Sequence, residues 1–477
     1  MADTVYRPGS IELQACLLFN YNRSVVDIRH LIVEFNVYTD IFANGVKIDL
    51  VVADATGLIE MFPIIGDETL VLSFKTPTFE NVQTYVSRVS KITDRKRDNE
   101  RSEIYVLHCA SPELFNNART SINKRIGDTD AGTIVRSIFN QYLAPSQQQY
   151  MITRKTTPLS IQATEGTHNF VFPRMRPIDA IRFVCQEAQS KIPTTVTMFE
   201  GNDVIETIVE QTTRPNNSQA SNFVFFERHD GWHFRTIDSL IDQQPVDDFY
   251  LAEASVEEHR NAGEKIHSYQ RISSISMPKQ FDILDNTVKG LFKHHVNVID
   301  PLTKTYVSDT FNYDKQFDSI GHIGEHKIYS PQSLHQQDSD PASRIVLISN
   351  VGQYNTLPYI NDRRFDDPQL RNPRRLHNFI KYDAATKAQL SNAVVDITIP
   401  GNTDIVAGSM INVHIPQSTE IDELMRSNNL LFDKTFFATA VRHTYNKQMN
   451  NFFTVIGCVK DSYAIEPIQQ YAQEEDL

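Results

Sequence analysis

The sequence has few cysteines, no long hydrophobic run and no cluster of metal-ligating residues. Its four cysteines, Cys16, Cys109, Cys185 and Cys458, lie far apart among 477 residues, and no two of them form a CxxC pair. The sequence therefore predicts neither a zinc site nor a thioredoxin-like motif, and we expect buried free thiols in a reducing compartment. No apolar run approaches the roughly 18 residues of a membrane span. The start of the sequence also lacks a basic segment followed by an apolar core, so neither membrane insertion nor a secretory signal is expected.

The sequence also lacks the short motifs of the common enzyme classes. It contains no P-loop, GxGxxG, HExxH, GxSxG or EF-hand spacing. Glu165 and His168 lie close together, but nothing around them makes an acid–base pair specific. His294 and His295 are neighbours on a predicted strand, where adjacent side chains point to opposite faces and cannot easily share a metal. We therefore predict no catalytic site, no cofactor and no metal site.

The charge balance argues against sequence-directed binding of nucleic acid. The chain has 46 Lys and Arg against 59 Asp and Glu, which gives −13 at pH 7, whereas affinity for a duplex comes largely from neutralised phosphates. Gly321–Gly324 has the spacing of a nucleic-acid-clamping GxxG loop, but it lies in an irregular segment, which favours a plain turn. The arginines of residues 363–375 alternate with aspartates, which favours a solvated face or a protein interface.

Apolar and polar residues alternate in two separate regions of the sequence. The alternation covers Val33–Tyr38 and Val46–Val52 in the first region, and Val395–Ile399 and Ile411–Ile415 in the second. A period of two is typical of strands with one buried and one solvated face. We therefore predict two strand-rich units, whose similar patterns hint at an internal duplication. The residues expected to face the core of the second unit are Val395, Ile397, Ile411 and Val413.

The region between the two units has a different character. Asp130–Phe139 and Arg176–Cys185 space their apolar residues for helices, and Phe223–Arg235 predicts a hairpin with Trp232 in the core. Residues 318–375 are poorly periodic and favour a long insertion. The predicted domains are a first strand-rich domain at 1–111, a mixed α+β domain at 112–262, a second strand-rich domain at 263–317 and 391–463, an insertion at 318–390 that ends in a helix, and a flexible C-terminal tail at 464–477.

Several stretches, in order along the chain, carry a resemblance to a known family. They are Ile48–Glu60 with Ile64–Glu68 (a strand, a loop and the entry to the next strand), Arg176–Ile181 with Phe223–Asp238 (a second domain), Arg344–Asn350 (an insertion strand), and Phe436–Asn446 with Phe452–Val455 (a closing hairpin). In this order they resemble the central baseplate hub protein of T-even-type contractile-tailed bacteriophages, which is related in fold to the hub part of type VI secretion spike proteins. The insertion between residues 300 and 390 looks longer here, and we see no lysozyme or β-helical spike segment.

The resemblance implies a β-rich α+β fold with two tube-type antiparallel β-barrel domains, a mixed α+β domain and an insertion, assembling as a ring. It implies a non-enzymatic structural protein of the virion, made and assembled in the host cytoplasm and located in the tail baseplate. As a homotrimer it would place six similar barrels around a channel and join a sixfold tail tube to a threefold cell-puncturing spike. The implied partners are the spike protein, the tail-tube initiator or tube proteins, and baseplate wedge proteins. DNA would pass the lumen without specific binding.

The polar faces of the alternating strands supply the candidate functional residues. A lumen that passes DNA should be hydrated and not basic, because basic residues would hold the phosphates. Alternation alone leaves open whether these faces meet a channel or the outside solvent. The candidates are Glu34, Asn36, Lys47 and Asp49 in the first unit, and Asp396, Thr398, Asn412 and His414 in the second.

Two other functions remain open from the sequence. The chain could be the hub of a type VI or other contractile injection apparatus. It could instead be a tail-associated hydrolase of cell wall or glycans, which would need a pair of carboxylates in a cleft, one of them with a raised pKa.

Overall fold

We describe the protein from a computed structural model. The residues described are 8–20, 22, 24–66, 68–77, 79–99, 102–144, 157–191, 193–210, 221–251, 269–300, 305–324, 326–328, 344–349, 385–390, 392–415 and 434–462. The arginine segment at 363–375, most of the predicted insertion and the predicted tail at 464–477 lie outside these residues. No helix in the described part of the chain is both long enough and apolar enough to cross a membrane.

The first strand-rich unit is an antiparallel sheet with one apolar core. Its elements are β1 (Glu12–Phe19), β2 (Val25–Asp27), β3 (Ile32–Asp40), β4 (Lys47–Asp54), α1 (Leu58–Met61), β5 (Thr69–Lys75), β6 (Gln83–Asn99) and β7 (Ser102–Ala110). The strand order is β2-β1-β5-β6-β7-β4-β3, and alternate residues of the six longer strands fill one core. The alternation predicted for β3 and β4 is confirmed, with Phe35, Val37, Ile48 and Leu50 fully buried.

The mixed region packs helices against two small sheets. Its elements are α2 (Pro112–Arg119), β8 (Ile122–Thr129), α3 (Ala131–Ile138), β9 (Pro158–Gln162), β10 (His168–Met175), α4 (Pro177–Glu187), β11 (Thr195–Glu200), β12 (Asp203–Val209), β13 (Phe223–Arg228), β14 (Gly231–Thr236) and α5 (Ile237–Ile241). The two predicted helices are confirmed: the side chain of Asp130 caps α3, and Pro177 is the first residue of α4. The predicted hairpin is β13–β14, with His229 and Asp230 between the strands and Trp232 fully buried.

The second strand-rich unit lies near the end of the chain. The remaining elements are β15 (Asp248–Tyr250), β16 (Ser274–Lys279), α6 (Ile283–Val288), β17 (Lys293–Asp300), β18 (Thr305–Asn312), α7 (Tyr313–Gln316), β19 (Arg344–Ser349), β20 (Ala393–Pro400), β21 (Met410–His414), β22 (Lys434–Asn446) and β23 (Asn451–Lys460). The strand order is β16-β20-β23-β22, and β21 pairs with both β22 and β15. The inward positions predicted from alternation are confirmed, since each is at most 1% exposed: Val395, Ile397, Ile411 and Val413.

The two strand-rich units share one 13-stranded sheet. β22 pairs with β23 on one edge and with β3 on the other, so that Thr444 lies opposite Asn36. The β-rich α+β class is therefore confirmed, but the expected closed barrels are not found among the described residues. β3 uses its outer edge for β22, and the outer edge of β1 pairs with the short β2, directly after which Ile28 N donates to Cys16 O at 2.9 Å.

Two strands that precede the predicted insertion and one strand inside it form a separate sheet. β17 pairs antiparallel with β18 and parallel with β19, whereas the sequence analysis assigned residues 263–317 to the second strand-rich unit. β15, from the predicted mixed domain, in turn pairs with β21 of that unit. Alternation gives the same pattern in either sheet, so it does not determine a strand's partner. Of the helix predicted at the end of the insertion, the described residues 385–390 are helical.

Candidate functional site

One side of the 13-stranded sheet carries polar residues across both strand-rich units, and we call it the polar face. The register places its residues in rows that cross the seam between β3 and β22. One row is Pro400, Phe453, Thr444, Asn36, Asp49, His108 and Lys91; the next is Ser274, Thr398, Val455, Arg442, Tyr38 and Lys47. The opposite side of the sheet faces the two apolar cores. Six of the eight sequence-predicted candidates therefore lie on one surface.

Asn36 ties the two units together on the polar face. Its Oδ1 accepts from Arg442 Nε at 3.0 Å, from Arg442 Nη2 at 2.8 Å and from Thr444 Oγ1 at 2.9 Å. Its Nδ2 donates to Glu34 Oε1 at 2.9 Å, and the other oxygen of Glu34 accepts from Asn446. Asn36 is only 6% exposed. The predicted solvent-facing residue is thus mainly a cross-link, and its partner Arg442 was missed because pairing between distant strands leaves no local signal.

Asp49 and His108 form the second polar contact of this face. Asp49 Oδ1 lies 2.6 Å from His108 Nδ1, and His108 Nε2 lies 2.8 Å from Thr93 Oγ1. This carboxylate–imidazole–hydroxyl order is that of a hydrolytic triad. The hydroxyl of Thr93 also donates to Asp94, and all three strands of the set belong to an open sheet surface. His108 is not among the sequence-predicted candidates, because its contact with Asp49 joins two strands that are distant in sequence.

The remaining candidates of the polar face are less constrained. Lys47 is exposed opposite Tyr38. Asp396 and Thr398 are partly exposed on β20, where Asp396 lies opposite Gly457. A Cβ at Gly457 would lie 3.6 Å from the Asp396 carboxylate and 3.5 Å from the Ala440 side chain, so this row is tightly spaced.

Asn412 and His414 lie apart from the other six. Both contact Asp248 of β15: Asn412 Nδ2 donates to Asp248 Oδ1 at 2.9 Å, and His414 Nε2 lies 3.2 Å from the same oxygen. The His414 ring stacks on Tyr250 at 4.6 Å. Between them and the rows above, the sheet is covered by an apolar cluster that includes Phe437. Alternation correctly predicted that Asn412 and His414 face away from the apolar core, but they lie on a different surface from the polar face.

His443 points to the opposite side of β22, into the core of the first unit. Its ring centroid lies 5.9 Å from that of Phe74 and 6.0 Å from that of Phe452, and its Nδ1 lies 3.0 Å from Thr454 Oγ1. Burial lowers the pKa of His443 from 6.5 to about 3, so the imidazole is neutral near pH 7. Residues from the last two strands thus complete the core of the first unit.

A buried pair of carboxylates joins the first unit to the mixed region. Glu227 Oε2 accepts from Val46 N at 2.9 Å and from the hydroxyl of Ser111, and Glu113 Oε1 accepts from Thr157 Oγ1 at 2.7 Å. Burial raises the pKa of Glu113, and burial together with the neighbouring Glu113 raises the pKa of Glu227. Glu113 is 1% exposed. The pair has the raised pKa that a hydrolase would need, but Glu227 Oε2 and Glu113 Oε1 already accept hydrogen bonds from the chain's own donors.

All four cysteines are buried and unpaired, as predicted. Both histidines of the 294–295 pair bond within the fold: His294 Nδ1 lies 2.8 Å from Gly290 O, and His295 Nδ1 lies 2.8 Å from Thr310 Oγ1. Within the described ranges, no group of three or more His, Cys, Asp or Glu is placed to hold a metal ion.

Comparison with known proteins shows that this fold is similar to the folds of two solved tail proteins. No protein-family model and no curated protein matches the chain. Among solved structures, the tail protein from Neisseria meningitidis superposes with a TM-score of 0.50 at 10% identity, over 94% of this chain and 96% of that one. The 43 kDa tail protein of prophage MuSo2 from Shewanella oneidensis gives 0.50 at 7% identity, over 94% and 98%. The expected resemblance to tail proteins is confirmed for the fold.

A third similarity is looser. An Escherichia coli component of the type VI secretion system covers 96% of this chain and 79% of its own, with 8% identity and a TM-score of 0.39. A superposition of that quality supports no argument about function.

Proposed function

We propose that the chain is a structural, non-enzymatic hub of a contractile phage tail baseplate. It acts as a homotrimer that joins the sixfold tail tube to the threefold cell-puncturing spike and forms a channel for genome passage. The observation that carries the proposal is the continuous sheet, in which two strand-rich units present one polar face. The fold similarity to two tail proteins, one of them from a prophage, over almost the whole chain supports it.

The arrangement of the two units fits the symmetry mismatch of a tail. Three copies supply six strand-rich units, so a threefold ring can present six similar surfaces to a tube. Because each pair of units is already joined through β3 and β22, three interfaces between copies would close the ring. Closing the ring would also protect the edge strands β2 and β16 at the two ends of the sheet.

The chemistry of the polar face suits a lumen that DNA passes without binding. The face carries charges of both signs. Its acidic residues are Glu34, Asp49 and Asp396, and its basic residues are Lys47, Lys91 and Arg442. The three carboxylates equal the three cations in number, and Arg442 is engaged by Asn36 and by the ring of Tyr38, so the face has little net positive charge to hold phosphates. We propose that the polar face lines the channel. Asn412 and His414 belong to a separate surface in this proposal.

The proposed partners follow from this position. They are the spike protein on one side, the tail-tube initiator or tube proteins on the other, and the baseplate wedge proteins around the rim. The chain would be made and assembled in the host cytoplasm as a late protein and would end in the virion baseplate.

Light scattering of the purified chain, alone and mixed with its candidate spike, tests the proposal. A threefold mass in either condition supports the hub. A monomer in both conditions contradicts it. In assembled particles, Asp49→Lys is expected to slow genome release because it adds a cation to the channel, whereas Asp128→Lys at an exposed position of β8 is the matched control. Equal release by the two variants would place the polar face outside the channel.

A hydrolase is the second candidate, because Asp49, His108 and Thr93 have the connectivity of a triad. Digestion of purified cell wall by the chain at catalytic enzyme concentrations, abolished by Thr93→Ala, would overturn the structural role. The hub of another contractile apparatus is a variant of the first proposal, and the identity of the spike that binds the chain distinguishes it.

A further inference from the structure

β12 is an edge strand of a sheet in the mixed region. The strand order of this sheet is β12-β11-β9-β14-β13, so among the described strands β12 pairs on one side only. All seven residues of β12 are exposed. Its four large aliphatic residues have exposed fractions of 51–59%: Val204, Ile205, Ile208 and Val209. Exposed apolar surface on an edge strand is typical of a site of contact with another chain.

The outer edge of β12 offers backbone groups for such a contact. Directly after the strand, Glu210 N donates to Thr194 O on the β11 side at 2.9 Å. The backbone groups of successive residues in a strand point to alternate sides, so Thr207 and Val209 turn their N–H and C=O groups away from β11. Among the described residues, neither of the two has a backbone partner on that outer side.

β12 lacks two features that protect an edge strand elsewhere in this protein. β16, at one end of the large sheet, contains Pro278 and Lys279, whereas β12 contains neither proline nor lysine. β12 does have a bulge at Ile205, where the register of its pairing with β11 shifts by one residue. The bulge leaves residues 206–209 as the regular part of the edge, which suits a short extended partner.

The two faces of β12 differ in their chemistry. The residues of one face are uncharged: Val204, Thr207 and Val209. The residues of the other face include both carboxylates of the strand: Asp203, Glu206 and Ile208. On that second face the register also places Glu200 of β11 opposite Asp203. Residues 195–209 contain three carboxylates in all and no lysine or arginine.

Two cations near β11 and β12 are engaged by other groups. Arg235 Nη2 of β14 lies 2.5 Å from Glu210 Oε1, and the guanidinium of Arg136 of α3 lies 4.5 Å from the centroid of an aromatic ring of β11. Asp203 and Glu206 form no ion pair within the described part of the chain. A cation carried by a partner would therefore be attracted to the second face.

We propose that the outer edge of β12 binds an extended segment of another protein in which apolar residues alternate with lysine or arginine. The backbone of this segment would add a further strand to the sheet. Its apolar side chains would lie beside Val204 and Val209, and its cations beside Asp203 and Glu206. Pairing with β12 of a second copy is disfavoured, because it would bring carboxylates together. This inference does not depend on the proposed hub function.

Binding of a synthetic peptide to the full chain tests the inference. The peptide has about ten residues, with lysine and valine in alternation, and carries a fluorescent label whose anisotropy reports binding. We expect saturable binding, with slower hydrogen–deuterium exchange of the amides of residues 203–209 in the complex. A peptide in which glutamate alternates with valine should bind roughly tenfold more weakly, because its carboxylates would lie opposite those of β12.

Variants of β12 assign the bound peptide to this edge. Glu206→Lys should weaken binding of the lysine peptide about tenfold, and Asp203→Lys is a second variant with the same expectation. Both positions are exposed, so the fold should be preserved, and circular dichroism checks this. Glu80→Lys is the matched control, because it makes the same exchange at an exposed position between β5 and β6 and should leave the affinity unchanged.

Four results would overturn the inference. They are no saturable binding up to about 1 mM peptide, slower exchange only outside residues 203–209, equal affinities of the Glu206→Lys and Glu80→Lys variants, and equal affinities of the lysine and glutamate peptides. Slower exchange of residues 203–209 that grows with the concentration of the chain alone would also overturn it, because that result would assign the edge to a second copy.

Discussion

Replacing His443 by glutamine should make the stability of the protein less sensitive to acid. In the folded chain, burial between Phe74 and Phe452 lowers the pKa of His443 from 6.5 to about 3. The unfolded chain therefore takes up a proton at this residue first. Stability contributed by the neutral imidazole is present above about pH 6.5 and is lost progressively as the pH falls towards about 3.

The size of the effect follows from the two pKa values. At about pH 5, protonation of His443 in the unfolded chain raises the equilibrium constant for unfolding by roughly 1.5 powers of ten. This lowers the free energy of unfolding by about 2 kcal/mol. At about pH 7.5 the same contribution is close to zero. His443→Gln should lower stability at neutral pH through lost packing, but its disadvantage against the parent chain should shrink by about 2 kcal/mol at about pH 5.

Urea unfolding at the two pH values measures this difference. His30→Gln serves as the control, because it makes the same exchange at an exposed position, and His443→Asn covers the case in which glutamine does not fit the core. If the disadvantage of His443→Gln and His443→Asn is the same at both pH values, then His443 is not buried as a neutral group. That outcome would also call into question the docking of β22 and β23 on the first unit.

Three further predictions test the sheet and the contact between Gly45 of the first unit and Glu227 of the mixed region. Ile397→Asp should cost several kcal/mol and prevent assembly, because it buries an unpaired charge at a fully buried position, whereas Asp396→Asn should unfold at nearly the parent temperature; a stable, assembled Ile397→Asp variant would refute the register of β20. Asn36→Leu should lower the free energy of unfolding by about 2–4 kcal/mol, because Thr444 and Arg442 lose their shared acceptor; a change in urea midpoint no larger than that of Thr398→Val would show that the seam does not depend on this residue. Gly45→Ala should destabilise the protein more than Gly66→Ala by about 1–2 kcal/mol, because both glycines have positive φ but only at Gly45 does a Cβ come within 3.1 Å of the Glu227 carboxylate. Equal melting temperatures of the two variants would mean that the contact between Gly45 and Glu227 can open without cost.

The local elements could be predicted from the sequence because their signals are local. Alternation in Val33–Tyr38 identified β3, and Asp130 before an apolar helical pattern identified the start of α3. The turn at His229–Asp230 gave the β13–β14 hairpin. Each of these patterns reflects the burial of one face of one element, which a short stretch of sequence determines by itself.

The pairing of distant strands could not be predicted in the same way. The alternation in β3 is the same for two different pairings of its outer edge. Pairing with β1 would close a barrel, whereas pairing with β22 joins the two strand-rich units in one sheet. Alternation predicted that each candidate faces away from a core, but it did not show which candidates share a surface. The sequence analysis therefore grouped Asn412 with the residues of the polar face, although Phe437 lies between them in the sheet. Arg442 and His108 were missed because their importance comes from Asn36 and Asp49, which lie on other strands.

The seam between β3 and β22 has a consequence for synthesis of the chain. Thr39 Oγ1 donates to Val441 O across 402 positions of sequence. At about 5–20 residues per second, the outer edge of β3 leaves the ribosome roughly 20–80 s before its partner strand exists. During that interval the first unit exposes an unpaired strand edge and lacks the rings of His443 and Phe452. Nascent chains therefore pass through a period in which two neighbours on one polysome can pair in place of β22, and slower translation of the second half would lengthen that period.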